Sequence, residues 1–341
     1  MSFLAVLFAL VLEQARPLTR GNWVHAGFRA WARWSQRTLD AGQVHHGWIA
    51  WVCAVFGPAL LTMLVHWMLW QVSVILAFMF SVSILYVTLG FRQFSHHFTD
   101  IRDALEGGDE TSARDLLAHW RQVDASELPR SEIVRHVIEY SVLAAHRHVF
   151  GVLGWFSILA ALGLGPAGAV MYRMSEFVSR YWVYKSHYPN AAVEGASPAL
   201  QAASLSAWGL IDYIPARTTA LGFAVVGSFE DAIDAWRSYT QRFSTDPPTT
   251  TPDRNDGVLL AATSGAINVR LGGDVLRPMF VGGVAVVASG ASDLQTPRAT
   301  QSTAGREPEL AHLRSVVGLV WRSVVLWMVL LALLTLARLL G

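Results

Sequence analysis

The sequence predicts an all-α fold: a polytopic helical bundle in a membrane, carrying an amphipathic helical hairpin on its cytoplasmic side. Three observations predict it. Hydrophobic residues make up 53% of the 341-residue chain and charged residues only 15%, against about 25% in an ordinary soluble domain. Apolar stretches recur at close to the ~20 residues needed to cross a ~30 Å hydrocarbon layer. The chain also holds 14 Trp and 16 Phe, in keeping with the aromatic belts of membrane interfaces. The formal net charge of +1 argues against a nucleic-acid partner. The single cysteine, Cys53, allows neither an internal disulfide nor a cysteine-based metal site.

Taken in order, the N-terminal "MSFLAVLFALVLEQARPL" has no basic residue before its apolar run and no small-residue cleavage site. It reads as a retained segment, short for a span and suited to a tilted, half-inserted or interfacial helix. Residues 48–70 and 72–90 read as two spans joined by almost nothing, hence a hairpin. Arginines crowd both flanks of that hairpin: Arg16, Arg20, Arg29, Arg33 and Arg37 before it, and Arg92, Arg102, Arg114, Arg121, Arg130, Arg135 and Arg147 after it. A hairpin puts both flanks on one side, and the positive-inside rule makes that side cytoplasmic. Within 91–147, "DIRDALEGGDETSARDLLAHWRQVD" has helical apolar spacing on either side of Gly107-Gly108. Asp109 and Glu110 suit the start of the second helix.

Residues 149–172 read as the third span. Its "GLGPAG" break at 163–168 leaves two readings open, a single crossing or a re-entrant hairpin that keeps Arg173, Arg180 and Lys185 inside. Residues 207–228 form a fourth, polar span, and 244–256 a loop rich in Pro, Thr and Asp. The resulting division is a membrane domain over 1–280, a flexible linker over 281–312 and a C-terminal transmembrane helix over 313–341. The expected setting is the bacterial inner membrane, multi-pass, with the lipid bilayer as partner; a homo-oligomer is left open.

Four motifs carry chemistry. In "IDYIPARTTA" an acid, Asp212, and Arg217 flank Pro215, which disfavours helix at Ile214 and removes a backbone donor. Intramembrane acids and arginines are functional-site candidates; the plainer reading pairs Asp212 with Arg217 across a kink. In "NDGVLLAATSGAINVRLGG", Ala261, Ala262, Gly265 and Ala266 make a face for close helix packing. Asn255 opens that motif, and Arg270 stands before Gly272 and Gly273, which would end a helix. A guanidinium there can grip a phosphate bidentately. In "GPAGAVMYRMSEFVSRYW", Tyr172, Arg173, Glu176 and Arg180 give either a polar lining or a surface Glu176–Arg180 ion pair. Lastly, His96-His97 and His146/His148 have spacings that permit metal binding or axial ligation of a corrinoid or haem. No local carboxylate or thiol completes a ligand set, so they read as polar residues at span ends and no metal ligand is assigned. Walker A, G-x-S-x-G, H-E-x-x-H and C-x-x-C patterns are all missing.

"LGPAGAVMYR", "DYIPARTTAL" and "NDGVLLAATSGAINVRLGG", in that order, resemble the CobD/CbiB family of cobalamin-biosynthesis membrane proteins. The start "FLAVLFALVLEQ" and the helical 91–147 loop also resemble the related AmpE, linked to β-lactamase induction. The first resemblance implies adenosylcobinamide-phosphate synthesis: ATP-dependent amide formation between adenosylcobyric acid and aminopropanol or its phosphate. ATP and Mg would then take part, with the corrinoid as substrate rather than cofactor. It implies Glu139, Glu176 and Asp212 as acids for metal or general-base work. Tyr172, Arg173, Arg217, Asn255, Arg270, Gly272 and Gly273 would bind a corrinoid or another anionic small molecule. The chain departs from the family pattern at several polar positions. Glu139 matches the family's first acid before the third span, but Leu143, Ala144 and Arg147 follow where polar residues stand in the family. Glu176 and Ser179 replace an Asn and an Asp, Trp208 and Gly209 replace an Asp pair, and an N-terminal His-Pro motif is missing. Related chemistry on other residues, or a non-enzymatic AmpE-like sensor, are the two alternatives that follow.

Overall fold

The computed structural model describes residues 2–16, 23–121, 123–186, 195–243, 251–273, 279–281, 284–286 and 303–340. Among these the fold is all-α, apart from a three-residue antiparallel pair that matches Met279 with Val286. The predicted linker falls mostly outside the described residues, as do 244–250 of the predicted loop.

Helix α1 (Ser2–Ala15) packs on α4 (Val74–Thr88), with Phe8 edge-on to Phe78 at 6.0 Å. Helix α2 (Trp23–Leu39) lies along α3 (Val44–Val72). There Trp31 Nε1 donates to the Ala54 carbonyl at 3.2 Å and Ser35 Oγ to Ala50 at 2.8 Å. The sequence reading gave this arginine-rich segment a charge role and no helix. Between α3 and α4 stands Ser73 alone; its extended backbone ends the first helix, and its Oγ accepts the Ile75 N–H at the start of the second. The expected hairpin over 48–90 is thus two helices with a one-residue joint.

The predicted hairpin outside the bundle forms as α5 (Phe91–Glu106) and α6 (Glu110–Arg121). Gly108 turns the chain with φ +78°, a conformation that costs glycine little. Asp109 then caps α6, accepting the Ser112 N–H at 2.9 Å and the Ser112 hydroxyl at 2.7 Å. Those hydrogen bonds, the backbone one first, hold its carboxyl below the usual carboxylate range. The hairpin docks on α7 (Arg130–Ala145) through Arg130, which donates to the Leu105 carbonyl at 2.9 Å.

Helix α7 does not stop where the loop was expected to end. It runs through a π-helical turn, His146–Phe150, into α8 (Gly151–Ala161). Among the described residues, Arg130–Ala161 is one of three helices long and apolar enough to cross a membrane, with Val44–Val72 and Leu310–Ala337. The expected span over 149–172 is therefore divided. Residues 162–166 turn the chain, with Gly163 at φ +82° and Gly165 at φ +60°. Helix α9 (Ala167–Ser186) then returns antiparallel along α8, so close that a Cβ on Gly168 would lie 2.1 Å from the Trp155 carbonyl oxygen. The chain thus turns back at the "GLGPAG" break, giving a helix-turn-helix.

The expected span over 207–228 is also divided. Helix α10 (Pro198–Ile211) is opened by Ser197, whose Oγ accepts the Leu200 N–H, and by Pro198 in its first turn. It ends at Asp212, and α11 (Tyr213–Val226) begins at once, with Pro215 in its first turn where a missing N–H costs nothing. Helix α12 (Phe229–Phe243) leads to α13 (Thr251–Ile267), which starts inside the predicted 244–256 loop because Thr-Pro-Asp suits a helix N-terminus. Asn268, at φ +50°, ends α13, so Gly272 and Gly273 lie in an extended segment beyond the helix rather than at its cap. The small-residue face on α13 does bring a backbone close: a Cβ on Gly265 would sit 2.2 Å from the Asp231 carbonyl oxygen. Gly265→Ala should therefore destabilise the protein by about 1–3 kcal/mol through overpacking, read as a lower midpoint of thermal unfolding in detergent. Helix α14 (Leu310–Leu340) packs against α1, α7 and α11. The chain just before it lies on the segment after α13, where the Arg270 N–H donates to the Arg306 carbonyl at 2.8 Å.

Candidate functional site

A bundle interior this apolar makes each buried polar group informative, since an unpaired one costs several kcal/mol. Here many converge where the π turn meets the Asp212 break. A π turn carries an extra residue and so re-aims the side chains around it. Its consecutive residues His146, Arg147 and His148 reach three different partners.

His146, fully buried, bonds through Nε2 to Asp212 Oδ1 at 2.8 Å and through Nδ1 to Thr219 Oγ1 at 3.0 Å. Tyr172 donates its hydroxyl to the same Asp212 oxygen at 2.7 Å. Tyr172 fits there because Gly151 has no side chain; a Cβ on it would stand 2.1 Å from the phenol oxygen. All four members of this group are at most 1% exposed.

One residue on, Arg147 pairs with Asp256 of α13. His148 Nδ1 takes a hydrogen bond from Arg173 Nη1 at 2.9 Å. Arg173 also donates to Glu176 Oε2 at 3.0 Å, and Arg180 pairs with Glu176 Oε1 at 2.9 Å. One buried carboxylate thus holds two guanidiniums. The Glu176–Arg180 pair of the surface reading exists, but it lies inside the protein: the Glu176 side chain is 5% exposed.

Two further groups border these. Glu139 accepts from Arg135 Nη1 at 2.9 Å and from the Gly272 N–H at 2.7 Å, so the segment after α13 is tied to α7. Gly273, at φ +121°, continues that segment beside the Arg135 guanidinium. On the other flank Asn255 accepts from Arg217 Nη1 at 3.0 Å and donates to the Gly209 carbonyl at 2.9 Å. Arg217 also lies over the Tyr213 ring, 3.3 Å from its centroid, a cation–π contact.

The structure thus brings Tyr172 to Asp212, Arg173 to Glu176, Arg217 to Asn255 and Glu139 to Gly272. Asp212 is bonded to His146 and Tyr172, not to Arg217 as the kink reading had it. Arg270 is exposed and joins none of these groups. Arg147, Thr219 and Asp256 are central here with His146, yet no binding role was read for those three. The H-x-H spacing flagged two of the π-turn residues, but as span-end polar residues. Among the described residues no three of His, Cys, Asp or Glu come together to hold a metal ion.

A helical bundle with three membrane-length apolar helices and a buried charged network defines the class as a helical membrane protein. The CobD/Cbib protein family model matches residues 3–282, and the chain belongs to the CobD/CbiB family of cobalamin-biosynthesis proteins. It is 28% identical over 288 residues to the cobalamin biosynthesis protein CobD of Stutzerimonas stutzeri (strain A1501), covering 84% of this chain and 81% of that protein. A protein of the same name from Chromobacterium violaceum is 30% identical over 196 residues, 56% of this chain and 55% of that protein. No solved structure matches the chain. The AmpE-like alternative finds no support among these relatives, which carry the cobalamin name.

Proposed function

We propose that this protein catalyses adenosylcobinamide-phosphate synthesis, forming an amide between a propionate of adenosylcobyric acid and the amine of aminopropanol or its phosphate. ATP supplies the activation, and the corrinoid is the substrate. The protein acts as a multi-pass component of the bacterial inner membrane. The observation that carries this reading is the buried charge array formed by Arg147 of the π turn with Arg173 and Arg180 of α9. Arg147 pairs with Asp256, and Arg173 and Arg180 both pair with Glu176, which gathers three guanidiniums where an anionic group of a substrate would be held. Arginine forks suit phosphate and carboxylate oxygens. Asp212 beside them is a base for the proton that the amine gives up as the C–N bond forms. Arg217, partly exposed and within electrostatic range of Asp212, adds a further cation.

Mg fits less well. Glu139, Glu176 and Asp212 are each bonded to a guanidinium, imidazole or phenol, and they do not assemble into a ligand set. No step is assigned to a metal held by the protein.

The test is complementation. Expressed in a bacterium lacking its own cobinamide-phosphate synthase and fed cobyric acid, the chain should restore cobalamin. Arg173→Ala and Asp212→Asn, expressed to the same level in the membrane, should restore less than about a tenth as much. A well-inserted wild-type chain that yields no cobalamin refutes the synthase reading.

A further inference from the structure

We infer that His146 is a positioning residue for Asp212: it fixes which carboxylate oxygen is spare. The inference rests on the reading of Asp212 as the base above. Both donors to Asp212 land on Oδ1, His146 Nε2 at 2.8 Å and the Tyr172 hydroxyl at 2.7 Å. No hydrogen bond from a described residue reaches Oδ2. A carboxylate held in this way has one oxygen occupied and the lone pairs of the other left for a ligand.

The imidazole is itself pinned at both ends. Nε2 faces a carboxylate, so it carries the proton. In the neutral ring Nδ1 is then an acceptor, and the Thr219 hydroxyl donates to it at 3.0 Å. Asp212 and Thr219 stand seven residues apart, at the start and on the next turns of α11, so both ring nitrogens dock on one helix face. Rotation of the ring would break both contacts; the Asp212 carboxylate, which can only accept, sets the tautomer, and the Thr219 hydroxyl conforms to it. His146 reaches this position because the π turn aims it there, one residue before Arg147 turns to Asp256. Other charged groups also act on this site: Arg217 on α11 lies within electrostatic range of Asp212, and Glu176 and Arg147 within range of Tyr172.

Removing the His146 donor leaves Oδ1 less occupied and lets the carboxylate turn. The measurement is infrared spectroscopy of the purified protein in lipid nanodiscs, with the carboxylate stretching bands of Asp212 assigned by their loss in Asp212→Asn. In His146→Ala the separation of the two bands should narrow as the two oxygens become more alike, and His146→Gln, which restores an N–H near Nε2, should recover most of the difference. Thr219→Val, nearly isosteric, should move the bands the same way by less, and it covers the case in which His146→Ala does not fold. Amide synthesis is measured on the same samples. In His146→Ala kcat should fall at least about tenfold, with the KM for the corrinoid unchanged.

Unmoved bands in the folded variants overturn the inference, whatever the activity. Displaced bands in a protein whose wild type makes no amide support the positioning role and overturn only the synthase reading. A role confined to packing would lower the unfolding temperature and leave the bands in place.

Discussion

Replacing Asp212 with alanine is expected to destabilise the protein by roughly 2–6 kcal/mol, while replacing it with asparagine should spare the fold and remove the activity. The reason is what surrounds the side chain. Alanine leaves the Tyr172 hydroxyl and the His146 N–H, both in fully buried residues, without an acceptor. Each orphaned donor costs about 1–3 kcal/mol. Asparagine keeps an oxygen where Oδ1 stood, so both donors stay satisfied, but it cannot take a proton. Thermal unfolding in detergent reads the first effect, and cobalamin formation in the complementation strain reads the second. An alanine variant as stable as wild type would mean that the four buried groups do not act as a network.

The second large effect is expected at Glu176. Glu176→Ala strands Arg173 and Arg180 inside the bundle, and breaking a buried pair by removing one partner costs about 3–5 kcal/mol. The loss should show as a sharp drop in the folded fraction after brief heating, read by size exclusion. Buried ion pairs contribute little net stability against apolar replacements. Combining Glu176→Leu with Arg180→Met should therefore recover part of what Glu176→Ala loses, with Arg173 left to its His148 contact. Activity should not return with it, because under the synthase reading the guanidinium serves the substrate. If the double variant is both stable and active, the arginine cluster is packing and not a binding surface.

The fold class was legible because it follows from quantities that survive averaging, namely apolar fraction, run length and aromatic content. The α5–α6 hairpin was legible from Gly107-Gly108 and Asp109, where local chemistry alone fixes the turn and the cap. The breaks were visible too: the "GLGPAG" glycines and the Asp-Pro-Arg run marked both places where the expected spans divide. What the sequence did not disclose is partnership. Asp212 and Arg217 lie five residues apart, and local reasoning paired them, but their partners come from 66 and 38 residues away, His146 and Asn255. The π turn left no local signature, since nothing in "HRHVF" distinguishes it from ordinary helix; its three polar residues meet partners on α9, α11 and α13, all distant in sequence. The family resemblance pointed to Arg217 and Arg270, of which Arg270 joins none of the buried groups, and away from His146. Its acids were sought at their usual positions, whereas here the polar positions before the third span are filled by Leu143, Ala144 and Arg147.

The π turn also sets the relative phase of the two halves of a long helix. One inserted residue in a helix of 3.6 residues per turn rotates everything beyond it by about 100°. The α7 half, with Glu139 and Arg135 facing the segment after α13, and the α8 half, with Gly151 facing Tyr172, therefore obey separate angular registers. Substitutions that adjust one face need not disturb the other. A helix with this kind of slip lets a lineage exchange the polar residues on one side of the interior while the opposite side stays docked.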